Sequence, residues 1–92
     1  MIKSFIHKGL REFYTSGSTV GGQTKHQKKL RLILTNLDQA QEPDDMDLPG
    51  LFMHQLKGDR NDIWSVRVSG NWRLTYRFIG RDVEIVNYED YH

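Results

Sequence analysis

Six polar residues in the second half of the chain combine proton-transfer groups with fixed cations: His54, Lys57, Arg73, Asp90, Tyr91 and His92. Histidine titrates near pH 6.5, so it can take up and release protons at working pH. RNA can be cleaved when its own 2′-hydroxyl group attacks the adjacent phosphate. This reaction needs such a combination and no metal ion. A base takes the 2′-hydroxyl proton, cations stabilise the phosphorane, and an acid protonates the departing 5′-oxygen.

Each of these residues also has an ordinary structural interpretation. A single histidine in a strand, such as His54, is commonly a packed or surface residue. A lysine in a turn, such as Lys57, is usually solvated, and the Asp90–His92 ending would ordinarily be a frayed terminus. The residue types alone leave both interpretations open.

Several other chemistries are excluded by what the sequence lacks. The chain has no cysteine, which removes disulfides, thiolate nucleophiles and Cys-ligated metal centres. Its four histidines show no i, i+4 pair of the kind that binds zinc, and there is neither a Gly-x-Ser-x-Gly motif nor a P-loop. We expect no metal and no cofactor.

The length of 92 residues predicts one domain over residues 1–92. Apolar runs are far shorter than the ~20 residues needed to cross a bilayer, and the N-terminus lacks the apolar region of a signal peptide. We therefore expect a cytoplasmic protein without a membrane partner.

The net charge of +1 conceals an uneven distribution. Residues 1–41 hold seven Lys/Arg and two acids, whereas residues 42–50 hold four acids and no base. Four cations crowd the opening turns of a predicted helix, where they oppose the helix dipole: Lys25, Lys28, Lys29 and Arg31. They indicate either a polyanion-binding surface or a solvated helix face.

The hydrophobic pattern predicts an α+β fold in which two N-terminal helices pack on one face of a twisted, mainly antiparallel sheet. The first helix spans about His7 to Tyr14, and the second begins near Gln23 or Thr24 and is ended by Pro43. The predicted strands are Lys3–Ile6, a segment from Leu51 to Met53, Trp64–Val68, Trp72–Phe78 and Val83–Glu89. In the last strand, Val83 and Ile85 are expected on one face and Val86 and Tyr88 on the other, as in an interior strand.

The apolar pattern also predicts the register of the central hairpin. A three-residue loop of Ser69, Gly70 and Asn71 pairs Val68 with Trp72, Val66 with Leu74 and Trp64 with Tyr76, with Gly70 or Asn71 at positive φ. The same register sets Arg67 opposite Arg73. Two facing arginines repel unless an anion lies near them, which indicates a phosphate-binding face.

Two long motifs and both termini carry a family resemblance. Residues 54–60 read H-Q-L-K-G-D-R and residues 64–76 read W-S-V-R-V-S-G-N-W-R-L-T-Y, while the chain opens with M-I-K-S-F and ends with V-N-Y-E-D-Y-H. The chain closely resembles the HigB-type toxins of the RelE/ParE superfamily over nearly its whole length, most strongly from His54 onward.

The resemblance implies a RelE-like fold and a toxin that cleaves codons of mRNA in the A site of the 70S ribosome. It also implies a HigA-like helix-turn-helix antitoxin as partner. By position, the family's active-site residues match His54, Asp90, Tyr91 and His92, and its supporting cations match Lys57 and Arg73. We expect the two histidines to move protons, Asp90 to orient one of them or the 2′-hydroxyl, Tyr91 to position the substrate, and the cations to hold the phosphate.

Two alternatives belong to other functional classes. A ParE-like toxin would inhibit DNA gyrase by binding and would not need the histidines. A plain RNA-binding module would bind without a cleaved product. His54 and the D-Y-H ending favour the nuclease.

Overall fold

The computed structural model of the chain describes residues 1–17 and 26–90. In chain order its elements are α1 (Lys8–Ser16), α2 (Gln27–Gln39), a 3-10 helix (Pro43–Met46), β1 (His54–Gln55), a second 3-10 helix (Gly58–Arg60), β2 (Trp64–Ser69), β3 (Trp72–Ile79) and β4 (Asp82–Asp90). The four strands form one antiparallel sheet in the order β1-β2-β3-β4. The predicted α+β class is confirmed. Neither helix of the described ranges is long and apolar enough to cross a membrane.

Some predicted features lie outside the described residues. They are the start of the second helix near Gln23 or Thr24, the cation Lys25 and the two terminal residues Tyr91 and His92.

Helix α1 begins one residue later than predicted because His7 caps it. The backbone amide of Leu10 donates to Nδ1 of His7 at 2.9 Å, which satisfies one of the amides left unpaired in the first turn. The helix ends at Gly17, whose φ of 81° closes it in the left-handed conformation that glycine favours.

Both helices bury one apolar stripe against the same face of the sheet. The buried residues of α2 are the four predicted at helical spacing, and α1 adds two more: Leu30, Ile33, Leu34 and Leu37, with Leu10 and Phe13. They join buried residues of the strands in one hydrophobic cluster. Alternation along the strands places polar side chains on the opposite face of the sheet, which we call the open face; in its central row Ser65 and Thr75 are buried, whereas His54 at the edge is exposed.

The predicted first strand is only partly formed. Residues 1–6 run parallel to β4 through two isolated bridges, Ile2 with Val83 and Phe5 with Val86. Hydrogen bonds from Lys3 and Ile6 to β4 carbonyls, at 2.7 and 2.8 Å, complete the attachment. Strand β4 therefore has neighbours on both sides, as predicted for an interior strand.

The central hairpin has most of the predicted register but a different turn. Trp64 pairs with Tyr76, Val66 with Leu74, and Arg67 with Arg73, as predicted. Trp72 pairs with Ser69 and not with Val68, so the prediction of a three-residue loop was wrong. Val68 stays buried in a β-bulge, and Gly70 takes the positive φ of 56° in a two-residue turn.

A second bulge corrects the prediction for β4. The pairing of β3 with β4 changes register at Tyr76. Arg77 pairs with Glu84 and Thr75 pairs with Asn87, so two residues of β4 lie opposite Tyr76 alone. Ile85 lies in this bulge with φ of 50°. The bulge resets the alternation, and Val83 shares the core with Val86 and Tyr88 instead of facing away from them.

The region between α2 and β2 is less regular than predicted. Helix α2 ends at Gln39, four residues before Pro43, and Pro43 begins the first 3-10 helix. Leu51 lies in a turn and Phe52 has φ of 50°, so the prediction of a strand from Leu51 to Met53 was wrong, and the strand β1 is the two residues that follow, His54–Gln55.

Candidate active site

The register of the sheet brings several predicted site residues onto the open face. Directly paired residues of neighbouring strands point to the same face, so the pairings define rows across the sheet. One row is His54, Ser65, Thr75 and Asn87, and the next is Arg67, Arg73 and Glu89. An exposed imidazole therefore lies at the edge of a face whose adjacent row carries two guanidinium groups.

His54 is held by the loop that precedes β1. Its Nδ1 lies 3.2 Å from the carbonyl oxygen of Phe52. A carbonyl oxygen only accepts, so in the neutral ring Nδ1 carries the proton and donates this hydrogen bond. The other nitrogen, Nε2, then holds the lone pair that a general base requires.

A surface pocket of about 330 Å³ adjoins His54. Its walls come from β1 and the second 3-10 helix: His54, Gln55, Leu56, Lys57 and Arg60. Lys57 is exposed immediately before that helix. The pocket thus places one imidazole and two cations around a space that can admit a phosphate group.

Arg60 is a residue of this pocket that the sequence interpretation missed. Its guanidinium forms a salt bridge with Glu89 at 2.9 Å, and Thr75 also donates to this carboxylate. Partial burial opposes ionisation of Glu89, but the hydrogen bonds from Arg60 and Thr75 outweigh it and hold the pKa of the carboxyl below its usual value. Glu89 is consequently an anion near neutral pH.

The two facing arginines have neighbours that offset their repulsion. Arg67 lies with its guanidinium carbon 5.6 Å from the ring centroid of Phe52, and Arg73 is in register with Glu89. The predicted pairing is confirmed, and the face that carries it is part of the open surface.

Asp90 is the last residue of β4, and it lies on the opposite face of the sheet from Glu89. It is exposed and in register with Trp72, whose ring centroid lies 4.6 Å from that of Tyr88. Burial, together with the charge of Asp90, raises the pKa of Tyr88 to about 12. The Tyr88 hydroxyl shares a hydrogen bond with Nδ1 of the buried His26. These contacts pack the C-terminal end of β4 against the helix side of the sheet, just before the two terminal residues.

The predicted cations of α2 lie on the helix side of the molecule. Lys28 and Arg31 are exposed, and they line a shallow pocket of about 400 Å³ with Phe13 and Gln27. The Arg31 guanidinium lies 4.8 Å from the Phe13 ring centroid. These cations form a second cationic surface, carried by α2 and not by the sheet.

The described residues contain no cluster of three or more metal-ligating side chains.

The chain is similar to known proteins over nearly its whole length. Residues 3–92 match the family model described as the RelE-like toxin of type II toxin–antitoxin system HigB. Endoribonuclease HigB of Proteus vulgaris is 42% identical over 92 residues, which span 100% of both chains. A type II system pairs its toxin with a protein antitoxin, so an antitoxin is the partner that the family implies. The chain belongs to the HigB-like family of RelE-like toxins.

Proposed function

We propose that this toxin is a cytoplasmic endoribonuclease that inhibits translation by cutting mRNA in the ribosomal A site. The observation that carries the proposal is His54, whose Nδ1 is bound to the Phe52 carbonyl and whose row adjoins Arg67 and Arg73. The name of the Proteus vulgaris relative supports the same reaction class. We further propose that residues 1–92 form one toxin domain, since helices and sheet share one buried cluster.

The reaction begins with proton transfer to His54. Nε2 takes the proton of the 2′-hydroxyl, and the 2′-oxygen attacks the adjacent phosphorus. The bond from phosphorus to the 5′-oxygen breaks, which leaves a 2′,3′-cyclic phosphate and a 5′-hydroxyl. Fixed cations stabilise the charge that develops on the phosphorane, and we assign this role to Arg73 and Lys57 with Arg67 beside them.

The acid of the reaction belongs to the C-terminal segment in this proposal. His92 protonates the leaving 5′-oxygen, Asp90 orients a histidine or the 2′-hydroxyl, and Tyr91 positions the substrate. The end of β4 supports the assignment: Glu89 is in register with Arg73 and Asp90 follows it directly on the other face, so the chain continues to residues 91 and 92 from beside the row of Arg73.

Two macromolecular partners complete the proposal. The antitoxin is a HigA-like helix-turn-helix protein. The 70S ribosome supplies the ordered codon, and ribosomal RNA contacts Lys25 and the cations of α2, which are Lys28, Lys29 and Arg31.

The test is cleavage of a defined message by the purified toxin, with and without programmed ribosomes. We expect ends that map to the A-site codon on ribosomes and negligible cleavage of naked message, because the pocket alone presents few cations to hold free RNA. His54→Ala should abolish the cut, whereas Gln39→Ala at the exposed end of α2 should not. Intact ribosome-bound message, or inhibition of DNA gyrase instead, would contradict the proposal.

A further inference from the structure

Phe52 is the least expected side chain near the candidate site. It is 64% exposed, which is unfavourable for a large aromatic ring in water. Its φ of 50° is also strained, since a side chain with a Cβ rarely adopts the left-handed region. Strained residues that persist next to an active site are commonly held there for function.

The surrounding hydrogen bonds fix this conformation. The amide of Arg67 donates to the carbonyl of Leu51 at 2.7 Å, which attaches the loop to β2 beyond the end of β1. One residue later, the Phe52 carbonyl accepts from Nδ1 of His54 at 3.2 Å. The backbone of Phe52 is therefore coupled directly to the imidazole that acts as base.

The ring of Phe52 lies beside the open face. The guanidinium carbon of Arg67 is 5.6 Å from its centroid, within the range of a cation–π contact. Arg67 shares that face with His54, because its position is two residues from Ser65, the partner of His54. The Phe52 ring and the Arg67 guanidinium thus lie on the side of the sheet that carries His54, and the ring remains largely exposed to solvent.

We propose that Phe52 and Arg67 form a stacking subsite for one unpaired nucleobase of the RNA, next to the bond on which His54 acts. Single-stranded RNA is commonly bound by stacking its splayed bases on aromatic rings and arginine planes. Every base has a π face, so this subsite takes any nucleotide and contributes binding with little sequence preference. The inference rests on the proposed nuclease function and adds a positioning residue to it.

The first test compares Phe52→Ala, Phe52→Trp and Phe52→Gly in steady-state cleavage of ribosome-bound message. Loss of the ring should lower kcat/KM by about 10-fold or more, mainly through KM, because stacking is present in both the ground state and the transition state. Phe52→Trp should stay near the wild-type value. Phe52→Gly should lose activity like Phe52→Ala without a lower Tm, since glycine relieves the positive φ.

The matched control is Ile79→Ala at the far end of β3, 52% exposed, which should change nothing.

The second test removes the base instead of the ring. Messages with an abasic nucleotide at each position of the cleaved codon should include one position at which wild-type kcat/KM falls as it does in Phe52→Ala. At that position the two changes should not add, because each removes the same stack. Additive losses, or none at any position, would overturn the inference.

The outcomes separate the subsite from the nuclease itself. If the wild-type toxin does not cut ribosome-bound message, the nuclease proposal fails and the subsite falls with it. If the wild type cuts and Phe52→Ala cuts equally well, only the subsite is wrong. Weaker antitoxin binding by Phe52→Ala at unchanged cleavage would likewise overturn it, in favour of a protein contact.

Discussion

Arg73 lies in the middle of the open face, between Arg67 on β2 and Glu89 on β4. Its side chain points away from the core that Leu74 helps to form. We expect Arg73→Ala to lower cleavage of ribosome-bound message by ~10²–10³, the usual loss of a preorganised transition-state donor. The measurement is single-turnover cleavage at saturating ribosome concentration, where the loss should appear in the rate and not in binding.

The control for Arg73 is Arg81→Ala in the exposed turn before β4. It removes the same charge from the other end of the hairpin and should leave the rate unchanged. Thermal unfolding of both variants should stay near that of the wild type, because neither removes apolar packing from the core. A rate equal to the wild type for Arg73→Ala would remove this residue from the mechanism.

At the scale of single residues, motifs predicted the residues of the candidate site but not the contacts that these residues make. His54 and Lys57 lie in a contiguous motif that stands out in the sequence, and in the structure both line one pocket. The salt bridge between Arg60 and Glu89 joins positions 29 apart, and no local pattern indicates it. The left-handed backbone of Phe52 was equally hidden, because only a tertiary attachment holds a phenylalanine there.

At the scale of elements, the alternation of apolar and polar residues correctly predicted which side chains share a face, up to the point where a bulge shifts that alternation. Binary patterning fixed Val66 opposite Leu74, since a one-residue slip would bury arginines. It failed at Val68 and again at Ile85, where an extra residue enters the strand. Bulges arise from how the whole sheet twists and closes on its neighbours, so a single strand's pattern does not encode them. A further contact at the β4 bulge also has no signal in the sequence. The amide of Ile85 donates to the hydroxyl of Ser4, in the N-terminal segment, at 2.8 Å.

The turn of the central hairpin gives a prediction at this scale. Gly70 has φ of 56°, and a Cβ there would meet no atom within 4 Å, so Gly70→Ala introduces backbone strain without a clash. We expect a loss of ~1–2 kcal/mol in the free energy of unfolding, the usual penalty of the left-handed region for a residue with a Cβ. For a domain of this size, each kcal/mol corresponds to about 4–8 °C in Tm.

Asn71→Ala is the matched control for Gly70→Ala. It changes the other residue of the same turn, which is exposed and lacks a positive φ. Its Tm should fall much less than that of Gly70→Ala. Equal Tm values for the two variants would show that the strain at Gly70 does not set the stability of this hairpin.

At the scale of the whole molecule, the chain divides its cations between two surfaces. The open face carries Arg67 and Arg73 beside His54, and the helix side carries Lys28 and Arg31 on α2. The uneven charge of the sequence indicated either a polyanion-binding surface or a solvated helix face, and the structure places these cations on α2 and not on the sheet. Such a division suits a toxin that is anchored to one polyanion while it acts on another.

The division predicts that binding and chemistry can be weakened independently. The double variant Lys28→Ala, Lys29→Ala removes two cations from α2. Among the described residues it breaks one long hydrogen bond, from Lys29 Nζ to the Gly50 carbonyl at 3.5 Å, so folding should be preserved. We expect weaker ribosome binding and a salt dependence of log K shallower by about 1–2, as for the loss of two phosphate contacts. The cleavage rate at saturating ribosomes should stay unchanged.

The control is the double variant Lys3→Ala, Lys8→Ala, which removes the same charge from two exposed positions near the start of α1. Equal losses from both pairs would mean that net charge, not the α2 surface, determines affinity. A reduced rate at saturation would instead place α2 in the chemistry and contradict the separation of the two surfaces.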